Sequence, residues 1–502
     1  MNRKGCIGSA ITAGSILIVS AVLALAPGNA FAQGAGVEVK EPLVPPGLDV
    51  FNLNLAQTKA FCRTSNFEVV GQSYLKGPWL TPLAQTNGLG VGINQVRVHN
   101  GIGYLAGYGS PALLFGILMA DVSDPTNMRA LSFIPCKPGT RCPYLGVNYN
   151  RHILVFGSSR NSNNPVQPPP GQQPDSGWSF WDVTNPANPS LLSHLSTLAN
   201  GSTHQFEMDD RYLYACGQSV RGTAGDEFQI VDYQNASAPF LVSSFHIQGQ
   251  RPGETPEAQD EKNPNGTPQR LSCHALNYHK DRVYIAYRDA GLVVLDVSDR
   301  SAPKQLARYD YVPPFNGGGF GASHSPALVL PDLNEHPRLL VLTDEIFECP
   351  GGFGRVMDIS DILNPDVVAG KRSANIQVLS NYRLPHVSDD FDFNTGQFVC
   401  RPGTQTIYVP WFDYRSPSLF YQSWYDQGLR AWDISNPHLP REVGYYLSPR
   451  YAALGRVDRH TREAYQDPDT GLIYLPDGSG GGLTVLRWTG PIPSRPPLPG
   501  AR

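Results

Sequence analysis

Short apolar runs alternate with polar turns along most of this chain, and one phrase keeps returning. It is an apolar strand, then Asp, then a polar turn ending at or near Pro. It stands at Asp121-Val-Ser-Asp-Pro125, Asp182-Val-Thr-Asn-Pro186, Asp232 to Pro239, Asp296 to Pro303, Asp358 to Pro365 and Asp433-Ile-Ser-Asn-Pro437. Strand-like residues lead into each copy, as in Gly291-Leu-Val-Val-Leu295, and a second strand follows, as in Phe240-Leu-Val-Ser-Ser-Phe245. The copies recur at roughly 50 to 75 residues, a little above the period of four-stranded propeller blades. Such units cover their apolar faces only by stacking on neighbours. Gly and Pro are abundant and no sustained helical periodicity appears, so the pattern predicts an all-β chain.

Taken in order, the pattern gives a seven-bladed β-propeller of four-stranded blades over residues 67–488. The blades run from Asn94 to Ile134, Tyr144 to Leu195, His204 to His246, Cys273 to Tyr311, His324 to Val378, His386 to Leu447, and His460 to Trp488. The last lacks a fourth strand, and the unpartnered run Phe67–Leu75 is expected to supply it. Ring closure of this kind removes an exposed sheet edge. Residues 33–66 read as an extended leader and 489–502 as a disordered Pro-rich tail.

The phrases Gly-Leu-Val-Val-Leu-Asp-Val-Ser-Asp299 and Gly-Leu-Arg-Ala-Trp-Asp-Ile-Ser-Asn-Pro437 resemble the LVIVD repeat of secreted bacterial β-propellers. The resemblance spans about residues 67–488 and implies a fold rather than an activity. In architecture and axial histidines the chain is also similar to carotenoid-cleaving oxygenases, with four histidines around iron, and to copper-linked methanethiol oxidases. Both are analogies of fold.

In such blades the Asp-turn joins strands three and four on one face. The loops after second strands and the links between blades gather on the other. Five insertions (Ser158–Gly177, Gly217–Asp226, Gly249–Gln269, Glu345–Gly354 and Phe412–Gln427) are assigned to that second face, which marks it as the binding surface. His204, His274, His324 and His460 share one repeat position, at the start of an innermost strand, and are expected to converge on the axis. Imidazole suits zinc, copper and iron, so these four form the candidate metal set. Asn94 and Gly146 fill the equivalent slot in two other blades. Acids at second-strand ends (Asp289, Asp344, Glu345, Asp413, Asp477), with Glu207 and Glu463 three residues beyond their histidines, are candidates to orient imidazoles or move protons. Glu207, Glu345, Glu463 and Tyr465 are the candidate catalytic groups, with Arg288, Arg459 and the Trp411-Phe412 pair completing the pocket. The remaining reading of the histidines is structural, with each bound to the neighbouring blade.

Charged residues make up 16% of the chain and the net charge is −4, which excludes a nucleic-acid footprint. Asn2-Arg3-Lys4, the apolar stretch Ile16–Leu25 and Ala30-Phe31-Ala32 read as a signal peptide over residues 1–32, which implies a periplasmic or secreted protein with no membrane span in its mature form. Cys136 and Cys142 are expected to close a small disulfide loop, with Cys349 and Cys400 a second candidate pair. Cys216 and Cys273 read as buried thiols.

The favoured function is an exported enzyme with a bound transition metal (iron, copper or zinc) acting on a small organic substrate, with oxidoreductase chemistry foremost. The alternatives are a non-catalytic scaffold for protein or glycan, with an aromatic surface patch around Trp411 and Tyr421, and a metal-free lyase or isomerase using His, Glu and Tyr.

Overall fold

The computed structural model describes residues 44–45, 47–107, 114–197, 201–217, 225–257, 262, 268–310, 323–330, 332–346, 352–384, 390–392, 397–399, 407–450 and 461–496. The proposed signal segment, Cys349, Cys400, His386, Arg459 and His460 lie outside them.

Each recurring phrase closes a turn by the same local chemistry. The side-chain oxygen of the phrase's Asp accepts from the backbone N–H two residues on, at 3.1 Å for Asp121, 2.8 Å for Asp182, Asp232, Asp296 and Asp358, and 2.7 Å for Asp433. A second Asn or Asp three residues later repeats the bond, as Asn185 does with Ala187 and Asp299 with Ser301. Paired Asx-turns reverse the chain with no help from the core.

The turns connect antiparallel four-stranded sheets. The first is Ile93–His99, Ile102–Gly107, Gly116–Asp121 and Arg129–Pro135. The next four open with Leu145–Asn148, Thr203–Met208, Leu271–His279 and Ser323–Val329, and a sixth opens with Ile407–Asp413. The last holds Tyr465–Gln466, Ile473–Asp477 and Gly482–Trp488, with Phe67–Ser73 paired antiparallel along Gly482–Trp488. Third strands such as Leu292–Asp296 are apolar up to their closing Asp because both faces are covered. Outer strands such as Ser190–Ser196 are partly exposed.

An apolar cluster fills the space between consecutive sheets. Val155, Phe180 and Leu213 join the second to the third, and Leu483 and Val485 join the last to the first through Val96 and Leu118. Outer-strand serines add a repeated bond. Ser193 donates to the Ala236 carbonyl, Ser243 to that of Arg300, and Ser380 to that of Pro437, each in the next sheet's Asp-turn. Sheets stacked this way, with first strands innermost, form a β-propeller.

Four expectations are corrected. The leader contains a helix, Leu55–Phe61, started by an Asn54–Gln57 capping box, and Arg63–Ser65 adds a fifth strand beside Arg441–Leu447. The tail is anchored as far as Ser494, since Ser416 and Ser418 donate to the carbonyls of Pro493 and Ser494. The run from Phe412 is no insertion. Ile407–Asp413 and Ser416–Trp424 are the first two strands of the sixth sheet, joined by a tight hairpin that Asp413 caps through Arg415 N–H at 2.8 Å. Cys216 and Cys273 are bonded, with Cα atoms 5.2 Å apart, because adjacent sheets bring a second strand against the next sheet's first strand. Cys136 pairs with Cys142. No helix among the described residues is long and apolar enough to cross a membrane.

Candidate functional site: a belt of side chains around the axis

First strands slip register where the histidines stand. The slip falls between Ile93 and Gln95, Thr203 and Phe206, Leu271 and Ala275, Ser323 and Ser325, and Ile407 and Pro410. An extra residue at that point twists the strand and re-aims its side chain. The re-aimed residues are Asn94, His204, His274, His324 and Tyr408.

They form a continuous belt. The His204 ring lies 4.6 Å from Tyr144 and 3.9 Å from His274, His274 lies 4.3 Å from His324, and His324 lies 5.0 Å from Tyr408. Tyr408 Oη donates to Asn94 Oδ1 at 3.3 Å, and Asn94 Nδ2 donates to the Pro143 carbonyl beside Tyr144 at 2.9 Å.

Two of the histidines are polarised alike, while His324 Nδ1 lies 2.7 Å from the Ser325 hydroxyl. His204 Nδ1 is 2.6 Å from the His274 carbonyl, and His274 Nδ1 is 2.9 Å from the His324 carbonyl. A carbonyl only accepts, so both Nδ1 atoms carry the proton and both Nε2 atoms are left with a lone pair. Burial, reinforced by the Arg288 guanidinium, pushes both rings well below the usual imidazole range. Burial likewise lowers His324 to about 4. Three neutral imidazoles therefore stand side by side at neutral pH.

Glu345 supplies the negative charge. It follows the second strand Leu339–Asp344, and its Oε2 lies 3.6 Å from His324 Nε2 and 3.0 Å from Arg288 Nη1, while Tyr425 donates to Oε1. Burial would raise this carboxyl, but His324 and Arg288 outweigh it and hold it at about 2. Arg288 is itself held in a left-handed backbone conformation, φ 49°, where its sheet bridges to Ser323 of the next. One donor atom from each of His274, His324 and Glu345 lies within 4.8 Å of the others, and all three residues are buried. Small side-chain rotations would bring such a set to the roughly 3–4 Å separations of ligands on one ion about 2 Å away.

The other expected acids are occupied elsewhere. Asp289 accepts from Arg270 N–H, Asp344 pairs with Arg355, Asp413 with Arg415, and Asp477 with Arg450. Of the histidines away from the axis, His194 bonds Ser179, His246 bonds Glu254, and His279 bonds the Glu335 carbonyl.

Glu207, Glu463 and Tyr465 make no hydrogen bond to a described histidine. They belong to a second tier: Glu207 stands three residues beyond His204 on its first strand and thus about 10 Å deeper, and Glu463 and Tyr465 stand against Arg97, three residues beyond Asn94. Glu207 and Glu463 line a cavity of about 440 Å³ with Arg97, Asn277 and Trp411. The cavity reaches Leu330, Leu333 and Tyr414 in first-to-second-strand hairpins, so it opens on the Asp-turn face, opposite the long loops. Glu463 binds Arg97 at 2.9 Å, and Arg97 lies over the rings of Trp411 (5.1 Å) and Tyr465 (5.5 Å). Tyr421 is fully buried and Trp411 faces the cavity, so the expected surface patch around them is absent.

Tyr144, Tyr408 and Tyr425 escaped the sequence reading. The run Ile407-Tyr-Val-Pro410 ahead of an Asp-Tyr-Arg hairpin was the available signal for Tyr408.

No curated protein matches the chain. Among solved structures it is similar to the computationally designed Ika8 protein (13% identity, 83% of this chain and 99% of that one, TM-score 0.42). It is similar to the Cps50 (Swd1) beta-propeller domain of Myceliophteria thermophila (11%, 79% and 96%, 0.47) and to Sqt1 of Chaetomium thermophilum (11%, 80% and 84%, 0.44). At that level the similarity carries nothing about activity. Residues 280–311, which hold the Asp296 phrase, match the LVIVD repeat.

Proposed function

We propose that this chain is an exported enzyme that binds a transition metal ion at the propeller axis and acts there on a small organic substrate, with oxidoreductase chemistry foremost. The observation that carries the reading is the buried set His274, His324 and Glu345 with His204 beside it, two of the imidazoles carrying Nδ1 protons on carbonyls and so offering Nε2. Such second-shell bonds fix ring orientation and tautomer in metal sites. Iron, copper and zinc all accept this donor set.

The architecture that supports this is a ring of seven four-stranded blades in which Phe67–Ser73 serves as the outer strand of the last. Export is supported by the two disulfides, which suit an oxidising compartment, and by the signal-like segment of the sequence.

When bound, the ion would activate water or oxygen as a Lewis acid or redox centre. The chain's own groups have separable tasks. Arg288 and Tyr425 fix the Glu345 carboxylate. Tyr144 Oη, 3.4 Å from His204 Nε2, is placed to hand on a proton.

Metal analysis of the purified protein beside His274→Ala and His324→Ala tests this. Stoichiometric metal in the parent and loss in both variants is expected; unchanged content in both variants sinks the ligand set. A second reading, metal-free acid–base catalysis, is favoured by one observation: both Glu345 oxygens already have partners, Arg288 and Tyr425. It predicts an activity insensitive to chelators yet lost in His324→Ala.

A further inference from the structure

The cavity on the Asp-turn face is chemically unlike the belt. Three acidic side chains line it, and two are already neutralised. Glu463 takes Arg97, with Gln95 Nε2 at 3.1 Å and Gln205 Nε2 at 3.5 Å on its other oxygen. Asp413 takes Arg415 at 2.6 Å, Gln466 at 3.0 Å and the Tyr421 hydroxyl. The third, Glu207, makes no hydrogen bond or ion pair with a described residue. The wall around it also holds Leu276, Leu328, Asn277, whose Nδ2 donates to the Leu276 carbonyl at 3.1 Å, and Trp411, which covers Arg97. At the mouth Leu330 is half-buried and Leu333 is 73% exposed, a large apolar side chain that no core contact explains.

We propose that this chamber binds a primary organic amine, its ammonium on Glu207 and its hydrocarbon or aromatic part running past Trp411 to Leu330 and Leu333. A half-buried acid without a partner is costly, and an ammonium supplies both the charge and the donors it lacks. An anion finds no open cation in the interior, because the charge of Arg97 is cancelled by Glu463 and its face is covered by Trp411 and Tyr465. Arg495 at the rim is exposed. The volume, about 440 Å³, falls in the range of small-molecule sites. The burial that raises the Glu207 carboxyl to about 7, with Arg97 opposing and Glu463 reinforcing, fits a group awaiting a cation. The chamber adjoins the belt through Ser325, which bonds the His324 ring at 2.7 Å, but none of His204, His274, His324 and Glu345 lines it, so this assignment does not depend on metal at the axis.

The test is calorimetric titration of the full chain with 2-phenylethylamine, 2-phenylethanol and phenylacetate, in the parent and in Glu207→Gln. The amine is expected to bind and to weaken about tenfold or more in the variant, as loss of a charge-assisted bond dictates. The alcohol and the carboxylate are expected to bind at least as weakly as the amine does to the variant. Equal binding of all three ligands, or amine binding untouched by Glu207→Gln, overturns the assignment. Leu333→Ser keeps the question answerable if Glu207→Gln misfolds. It should weaken octylamine several-fold and leave methylamine unchanged, and equal effects on the two would also overturn the proposal. Metal content of Glu207→Gln should match the parent, which keeps this result apart from that of the axial site.

Discussion

Arg288 and Glu345 meet at 3.0 Å across the joint between two sheets, each at the end of a second strand. The pair exists because Arg288 turns through a left-handed conformation and bonds its carbonyl to the Ser323 hydroxyl, 2.8 Å away in the next sheet. It gives the first prediction. Both side chains are at most 10% exposed. Arg288→Ala should cost about 3–5 kcal/mol, because it leaves a carboxylate buried without a counter-charge. Arg288→Met combined with Glu345→Gln should recover a large part of that loss in urea denaturation. An additive double variant would show that the two groups do not act as a pair.

Glu207 gives a pH prediction. Burial raises its folded carboxyl to about 7, above the 4.5 of a free glutamic acid. Between those values the folded chain holds a proton that the unfolded chain has lost, so this group makes stability fall as pH rises from 4.5 through 7. Glu207→Gln should therefore be more stable than the parent at pH 8, on the order of 2 kcal/mol, and no more stable near pH 4. Denaturation curves at the two pH values check it. A gain of equal size at both would assign the effect to something other than this proton.

The two disulfides should differ in worth. Cys216–Cys273 closes 57 residues and ties two sheets, while Cys136–Cys142 closes 6 within one loop. Loop-closure entropy gives about 4 kcal/mol for the first and about 2 for the second. Double Cys→Ala variants of each pair, compared by denaturant midpoint, should rank in that order.

Bound metal should also stabilise the fold, since the belt ligands come from separate sheets and assemble only in the native state. Adding the ion to metal-stripped protein should raise the melting temperature of the parent and leave that of His274→Ala unmoved. A rise of equal size in both would place the ion elsewhere.

The sequence made the repeating unit legible because its determinants are local. The side chain of Asp296 reaches a backbone N–H two residues away, so the Asp-turn can be read from five letters. The recurrence of His204, His274 and His324 at one repeat position was visible for the same reason, and the three rings do lie in one belt. The sixth sheet was misplaced because its first strand begins at Ile407, well beyond His386, and Tyr408 was lost with it.

By itself the sequence determined strands, turns and which residues share a register, because those follow from bonds between near neighbours. Only the tertiary structure decided that Glu345 faces His324 while Glu207 and Glu463 line a second chamber. It also decided that Cys216 meets Cys273. The partners are 21 residues apart in the first case and 57 in the last. Their meeting depends on bulges and sheet-to-sheet packing, where a one-residue slip turns a side chain to the opposite face.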